Sequence, residues 1–518
     1  MEEIDYSPAV WLEMSAIISK SKIGRVVSQV GPSFSFVEVR LDPGVAVRPG
    51  QLLYAVIGES EPIKFVILRV NDAVEHNEYE NPLSSKVRDQ FGIESSRGRL
   101  DLLRQYVLAS TQPIEVVTMV DGASLVSEDP NVIVPAGTEV YESIPGLTGK
   151  VLGFPDPGAR GAMSLGEVIG GDGVAVTLDA DSVLPRHILI AGSTGTGKSY
   201  LLGKMTEEIH RLGISHVNVD VHGELRKAAE ELKGRTLVPG RDVTVRLSSL
   251  AEPELLNMLP INNDLHVDIV TRAFSNLKRT GTEFNIDELR MEALRVAASY
   301  GSGKSTMGIL EARIDTLKGI PILGKGYDWA SALGIRASLI NLDCRDLAHS
   351  ELRIVVGAVA RELMRLRTQR KIGPLVFSMD EAHLFLPGGD TTPSSQVLAE
   401  LIRFGRHHGV GIVIASQSPS DIDKRIAKIT NTRFFFAMEP SELASVSGLL
   451  ADAPEELVRN LSRLRVGTCL LVGSRETVKH SLVMQVGKRT TTHGGETPTM
   501  IENPESAKDT NEPSKDSG

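Results

Sequence analysis

The sequence predicts an α/β protein with a parallel-rich sheet, preceded by a small N-terminal β-barrel and interrupted by a helical insertion. From about residue 150 short apolar runs alternate with longer helical patterns, the texture of βαβ units. Before that point short runs rich in Val, Ile, Phe and Tyr follow one another between Gly/Pro/Ser turns. Residues 250–325 read as helices with no strand-like run. At 518 residues the chain has room for about three domains.

Taken in order, residues 8–19 read as a short helix, and strands are expected over 22–30, 34–41, 51–58 and 64–72, with turns such as Gly31-Pro32-Ser33 and Pro49-Gly50 between them. Residues 83–110 look helical and polar, and 115–121 and 138–141 add strand material, so the first domain is assigned residues 1–147. The second domain, 148–490, carries buried strands at 187–191, 216–221, 337–342, 375–379, 411–416, 433–438 and 467–472, each an apolar run of the length a parallel strand needs. The insertion at about 250–325 is expected to form a subdomain. A tail, 491–518, is almost free of apolar residues and is expected to be mostly disordered.

Composition narrows the class. Hydrophobic residues make up 41% and charged residues 24%, which excludes a disordered, collagenous or multi-span membrane chain. Cys344 and Cys469 form neither a disulfide framework nor a metal-binding pattern. With no leader-like start and no long apolar stretch, a cytoplasmic protein away from the membrane is expected. The net charge of −10 argues against a surface coated in basic groups, yet an inner channel can still concentrate Lys and Arg.

The chemistry begins at Gly192-Ser193-Thr194-Gly195-Thr196-Gly197-Lys198-Ser199, a P-loop pattern set between an apolar strand and a helix. Its glycines let backbone N–H groups converge on phosphate, Lys198 can reach the β/γ-oxygens, and the Ser199 hydroxyl suits Mg²⁺. ATP and Mg²⁺ are therefore the expected cofactors, and Gly192, Thr194, Gly195, Thr196, Gly197, Lys198, Ser199 and Tyr200 are the candidate nucleotide contacts. A second glycine-rich stretch, Gly301-Ser302-Gly303-Lys304-Ser305-Thr306, lacks the leading glycine and the preceding strand; Ser305 is expected to N-cap a helix there instead.

A Walker B strand should end in a carboxylate, and residues 375–379 run into Asp380-Glu381-Ala382-His383. Asp380 is assigned to Mg²⁺, and Glu381 to orienting and polarising the attacking water. Asp220-Val221-His222-Gly223-Glu224 follows another strand at the sheet edge where catalytic groups collect, so Asp220 is a candidate for assisting Mg²⁺ or water, against a plain turn-forming role. Gln417, ending the strand 411–416, is placed to report the γ-phosphate. Arg403 and Arg406 lie three apart at the end of a helix. In a lone subunit they are surface arginines at a helix C-terminus, whereas in a ring one could serve a neighbour as an arginine finger.

In this order the elements resemble the HerA family of hexameric DNA-translocating ATPases, within the HerA/FtsK group. The residues that carry the likeness are Ile23-Gly24-Arg25-Val26-Val27, the P-loop, the stretch 220–224, Asp380-Glu381-Ala382-His383, Gly405-Arg406 through Gly411, Ser416-Gln417-Ser418-Pro419, and Arg489 with His493-Gly494-Gly495. The resemblance implies a RecA-like motor core and a HAS-barrel-like N-terminal domain. It further implies a homohexamer threading double-stranded DNA, with a NurA-type nuclease as partner in end resection and double-strand break repair. It carries functional roles to Lys198, Asp220, Glu381 and, in trans, Arg406, and places Arg186 near the nucleotide. Ser418 and Phe404 depart from the family pattern. Antiviral defence or DNA pumping with a different effector remains the alternative. Candidate DNA contacts are the loop 387–395 and Lys278-Arg279, while the arginines between 361 and 370 read as a solvated helix face.

Overall fold

The computed structural model describes residues 2–4, 22–27, 33–58, 63–77, 105–120, 124–142, 145–171, 173–334, 337–388, 392–450, 453–474 and 476–494. The expected first helix, most of the polar segment 83–110 and nearly all of the tail lie outside them.

Eight strands make up the first sheet: β1 (Glu2–Ile4), β2 (Lys22–Val27), β3 (Val37–Leu41), β4 (Leu52–Ile57), β5 (Lys64–Asn77), β6 (Gln105–Val120), β7 (Ser124–Glu128) and β8 (Glu139–Glu142). The order is β1-β7-β6-β3-β2-β8-β4-β5, and β5 also pairs with β6. That last pairing closes six strands into a barrel and removes the exposed edges that strands of this apolarity would otherwise present. Residues 105–110, expected to be helical, belong to β6, because its alternating side chains pair with Asp72–Asn77 and Val37–Arg40 on two neighbours. Tertiary pairing overrides a polar local composition there.

The second sheet contains β9 (Ala162–Val168), β10 (Ala175–Asp179), β11 (Ile188–Ala191), β12 (Ser215–Asp220), β13 (Arg235–Leu237), β14 (Leu339–Asp343), β15 (Leu375–Met379), β16 (Val410–Ser416), β17 (Thr432–Phe436), β18 (Thr468–Gly473) and β19 (Leu482–Val486). Its order is β10-β9-β19-β18-β17-β11-β16-β15-β12-β14-β13. From β17 to β13 the pairings are parallel, whereas β18, β19, β9 and β10 add an antiparallel wing. The run at 467–472, read as a buried parallel strand, thus runs antiparallel to β17. Burial alone cannot tell the two apart, since both faces of this strand are covered.

Helix α1 (Lys198–Arg211) follows the P-loop. The insertion supplies α2 (Glu252–Met258), α3 (Asp264–Thr280), α4 (Ile286–Ser299) and α5 (Lys304–Asp315). Ile269, Phe274, Leu289, Ala293 and Leu310 of these helices belong to one continuous core with the sheet residues Val217, Ile340 and Phe377. The insertion is therefore packed into the motor core. Gly303, not Ser305, is the N-cap of α5, because the helix starts two residues earlier than its apolar spacing indicates. Two further helices flank the site strands, α6 (His349–Thr368) and α7 (Pro393–His408). The barrel is fixed to the core by buried polar bonds. Arg69 Nη1 donates to Ser481, and Glu115 accepts from Lys479 Nζ at 2.5 Å and pairs with His480 at 2.8 Å.

Candidate active site

Parallel strands β11, β12, β15 and β16 deliver their C-terminal ends to one edge of the sheet, where ligands of open α/β sheets bind. The P-loop leaves β11 there. Gly192 and Gly197 adopt φ of 156° and 119°, and a Cβ on Gly192 would come within 2.6 Å of Phe436 Cβ, so the tight turn requires glycine. Thr196 Oγ1 donates to Ser193 O at 2.7 Å, and Gly467 N–H donates to Thr196 O at 2.9 Å, which fixes the loop from within and from the turn that leads into β18. Lys198 is 5% exposed and its Nζ donates to Ser193 O at 2.8 Å. Burial lowers its proton affinity, and the carboxylates of Glu381, Asp380 and Glu224 oppose that shift. Ser199 follows Lys198 in the first turn of α1, as a Mg²⁺-ligating hydroxyl should.

Leu375–Met379 places Asp380 and Glu381, both buried, beside Lys198. Glu381 holds a left-handed backbone, φ 49°, which is uncommon for a side chain bearing a Cβ. Asp380 Oδ1 accepts the Glu381 N–H at 2.9 Å and stabilises that conformation, which turns the Glu381 carboxylate out of the strand line. Burial, and then the neighbouring Glu381, push the Asp380 carboxyl up to about 7. Crowded carboxylates of this kind fit a divalent cation, whose charge would restore Asp380 to its ionised form. Glu381 Oε1 accepts from Gln417 Nε2, while Thr194 Oγ1 donates to Gln417 Oε1 at 2.5 Å. One amide therefore ties the Walker B acid to the P-loop. His383 Nδ1 lies 3.3 Å from Glu381 Oε2 without hydrogen-bond geometry, leaving that oxygen buried and unpartnered, and His222 Nε2 lies 3.6 Å from Oε1.

Four of the sequence assignments need correction or placement. Asp220 reaches the edge, but both its oxygens are engaged by its own loop and by Asn341: Oδ1 accepts from Gly223 N–H at 2.8 Å and Glu224 N–H at 3.0 Å, and Oδ2 from Leu225 N–H at 3.0 Å and Asn341 Nδ2 at 3.1 Å. The turn-forming role therefore accounts for its contacts. Tyr200 is engaged by the segment after β19: its hydroxyl accepts the Arg489 N–H at 3.0 Å and its ring lies under the Arg489 guanidinium. Arg186 precedes β11 and so stands at the opposite end of that strand from the P-loop, bound to Ser182 O at 2.7 Å and Glu476 at 2.6 Å. Arg406 is exposed at the C-terminus of α7, which leads into the start of β16, and it is close enough to His187 to lower that imidazole's proton affinity. Neither arginine can serve the P-loop of its own chain.

Sequence reasoning passed over the side chain of Glu224 and the strap that follows β19. Glu207 of α1 accepts from Thr490 N–H at 2.9 Å, Thr491 N–H at 2.8 Å and Thr491 Oγ1 at 2.6 Å, and Gly494 N–H donates to Glu224 O at 3.3 Å. The strap thus spans from the P-loop helix to the Glu224 loop. The signal was the Arg489 to Gly495 stretch, which local periodicity does not explain. Of the candidate DNA contacts, residues 389–391 of the loop 387–395 lie outside the described set; Lys278 and Arg279 are exposed near the C-terminus of α3, with the Lys278 ammonium 5.3 Å from the Phe274 ring centroid, and Arg361 pairs with Glu254 at 2.5 Å. Arg361 is accordingly part of the insertion's packing, not a free solvated face.

Residues 163–363 match the family model "Helicase HerA, central domain", a span that includes the P-loop, the 220–224 loop and the insertion but ends before Asp380. The chain is 25% identical over 383 residues to the DNA double-strand break repair helicase HerA of Sulfurisphaera tokodaii, covering 68% of this chain and 74% of that protein. It is 22% identical over 420 residues to the protein of the same name from Pyrococcus furiosus, covering 70% and 74%. Among solved structures it is similar to VirB4 of Thermoanaerobacter pseudethanolicus, at 15% identity and a TM-score of 0.49, over 65% of this chain and 98% of that one. No described helix is long and apolar enough to cross a membrane. With the central-domain model matched over residues 163–363 and the motifs outside it brought to one sheet edge, the chain is similar to the HerA helicases.

Proposed function

We propose that this chain is an ATP-driven translocase or helicase acting on double-stranded DNA. The observation that carries the reading is the Thr194–Gln417–Glu381 connection, which puts a polarising carboxylate and a phosphate-sensing amide in register with Lys198. Backbone N–H groups of the P-loop and Lys198 bind the phosphates. Ser199 and Asp380 would hold Mg²⁺, which neutralises charge on the β- and γ-phosphates. Glu381 accepts a proton from the attacking water as its oxygen bonds to the γ-phosphorus and the bond to the β,γ-bridging oxygen breaks. Gln417, bonded to both the loop and the acid, registers whether the γ-phosphate is present and passes that state to β16.

The relatives named as double-strand break repair helicases support DNA as the substrate. A homohexamer with Arg406 acting in trans agrees with the position of this arginine at the edge remote from its own P-loop. A NurA-type nuclease docked near the barrel, and a place in end resection, are the partner and process we assign. The test is ATP hydrolysis with and without duplex DNA. Stimulation by DNA that is lost in Glu381→Gln, with ATP binding retained, supports the reading. Equal turnover in that variant and wild type rejects it. Copurification of the native protein with a nuclease, as against another effector, decides between resection and the defence or pumping alternative.

A further inference from the structure

We propose that Glu224, not Asp220, is the acid that the loop after β12 presents to the nucleotide and its Mg²⁺, with Asp220 acting through it as a positioning residue. The proposal rests on the ATPase reading and deepens it. Asp220 is fully buried, and its two oxygens together accept four hydrogen bonds, three from the backbone of residues 223–225 and one from Asn341. A carboxylate so engaged has little capacity left for a ligand. What it does instead is fix the backbone on either side of Glu224. Gly223 supplies the left-handed turn, φ 76°, and the strap closes the far side through Gly494 N–H to Glu224 O at 3.3 Å.

The side chain delivered by this loop is incompletely satisfied. Glu224 Oε2 is buried with no hydrogen-bond partner, although buried carboxylate oxygens are ordinarily paired. It lies close enough to the Lys198 ammonium and the Asp380 carboxylate to shift the proton affinity of both. The Arg489 guanidinium and the His493 imidazole feel it from the strap side. Glu224 is therefore near both the P-loop lysine and the Walker B acid. Together with the unpartnered Oε2 of Glu381, it presents an acceptor that a water ligand of Mg²⁺ would satisfy. Asp380, Glu381 and Glu224 against Lys198 leave an excess of negative charge that suits a divalent cation carried by a nucleotide.

Two substitutions in the full chain separate the roles, read by melting temperature and by the Mg²⁺ dependence of binding a fluorescent ATP analogue. Glu224→Gln is nearly isosteric and leaves the Asp220 bonds intact. It should keep the wild-type melting temperature while raising the Mg²⁺ concentration for half-maximal binding about tenfold or more, the usual consequence of losing an outer-sphere partner. Asp220→Asn, whose amide would face the Leu225 N–H and Asn341 donors, should lower the melting temperature and shift the Mg²⁺ midpoint in the same direction. A wild-type Mg²⁺ midpoint in Glu224→Gln overturns the proposal, as does Asp220→Asn with an unchanged melting temperature and a shifted midpoint. If Asp220→Asn does not fold, Glu224→Gln decides alone. Failure of the wild-type chain to bind the analogue with Mg²⁺ would instead overturn the ATPase reading itself.

Discussion

The two edges of the central sheet carry opposite chemistry. Where β11, β12, β15 and β16 end, Lys198 is surrounded by Asp380, Glu381 and Glu224; where β11 and β16 begin, Arg186 adjoins His187 in the chain and Arg406 lies close to its imidazole. β16 joins them, with Gln417 after its last residue and Arg406 just before its first. Its seven residues span about 23 Å at about 3.3 Å each, well beyond the reach of an arginine side chain. Acid and arginine that one reaction would use are thus kept apart within a chain. A second copy offering its arginine edge to the first copy's acid edge would unite them, as the trans role proposed for Arg406 requires.

The largest effects test the acid edge. Glu381→Gln should lower ATP turnover by about 10² or more with nucleotide binding kept, whereas Lys198→Ala should lose binding and turnover together. Equal losses of binding in both variants would show that Glu381 holds the nucleotide and not the water. The arginine edge is broken by Arg406→Ala, which should abolish turnover when present in every subunit. Mixed with Lys198→Ala subunits it should recover activity above the sum of the two parents, because some sites then retain both groups. No recovery in demonstrably mixed rings removes Arg406 as a trans group.

Smaller effects sharpen the same contrast. Gln417→Ala should lower kcat about tenfold while leaving ADP affinity unchanged, since the amide bonds to the acid and to Thr194 but not to Lys198. DNA binding should weaken with salt at a log–log slope of about −0.9 per phosphate contacted, and only in assembled rings, because a chain of net charge −10 is a poor partner for a polyanion. A monomeric variant binding as tightly as the ring would remove the channel from the account.

The arginine edge also carries a pH signature. Burial depresses His187 to about 4 and His216 of β12 to about 3, against an ordinary 6.5. The unfolded chain takes up these protons first as pH falls below 6.5, so each histidine costs stability between 6.5 and its folded value, about 1.4 kcal/mol per pH unit at most. Asp380 acts in the other direction. Its carboxyl, raised from 3.8 to about 7, holds a proton that the unfolded chain has lost, so its contribution falls as pH rises from 3.8 to 7. Thermal unfolding from pH 4 to 7 should show Asp380→Asn stabilising the nucleotide-free chain most near pH 7. A variant difference that does not change with pH contradicts the assignment.

Much of this was legible in residue order. The P-loop glycines, Lys198, and an apolar strand running into Asp380-Glu381 are local patterns, because a phosphate cradle and a carboxylate at a strand end are built from consecutive residues. Strand 375–379 and the helical insertion follow equally from short-range apolar spacing. Barrel closure through β5 and β6, the antiparallel direction of β18 and the strand identity of residues 105–110 depend on which distant segment supplies the hydrogen bonds, and no local pattern encodes that partner. The same limit governs the acids. Asp220 and Glu224 stand four residues apart in one motif and look equally able to serve the nucleotide. Only the folded loop, by bringing four donors onto Asp220 and none onto Glu224 Oε2, determines which carboxylate is occupied by the protein and which is left for a ligand.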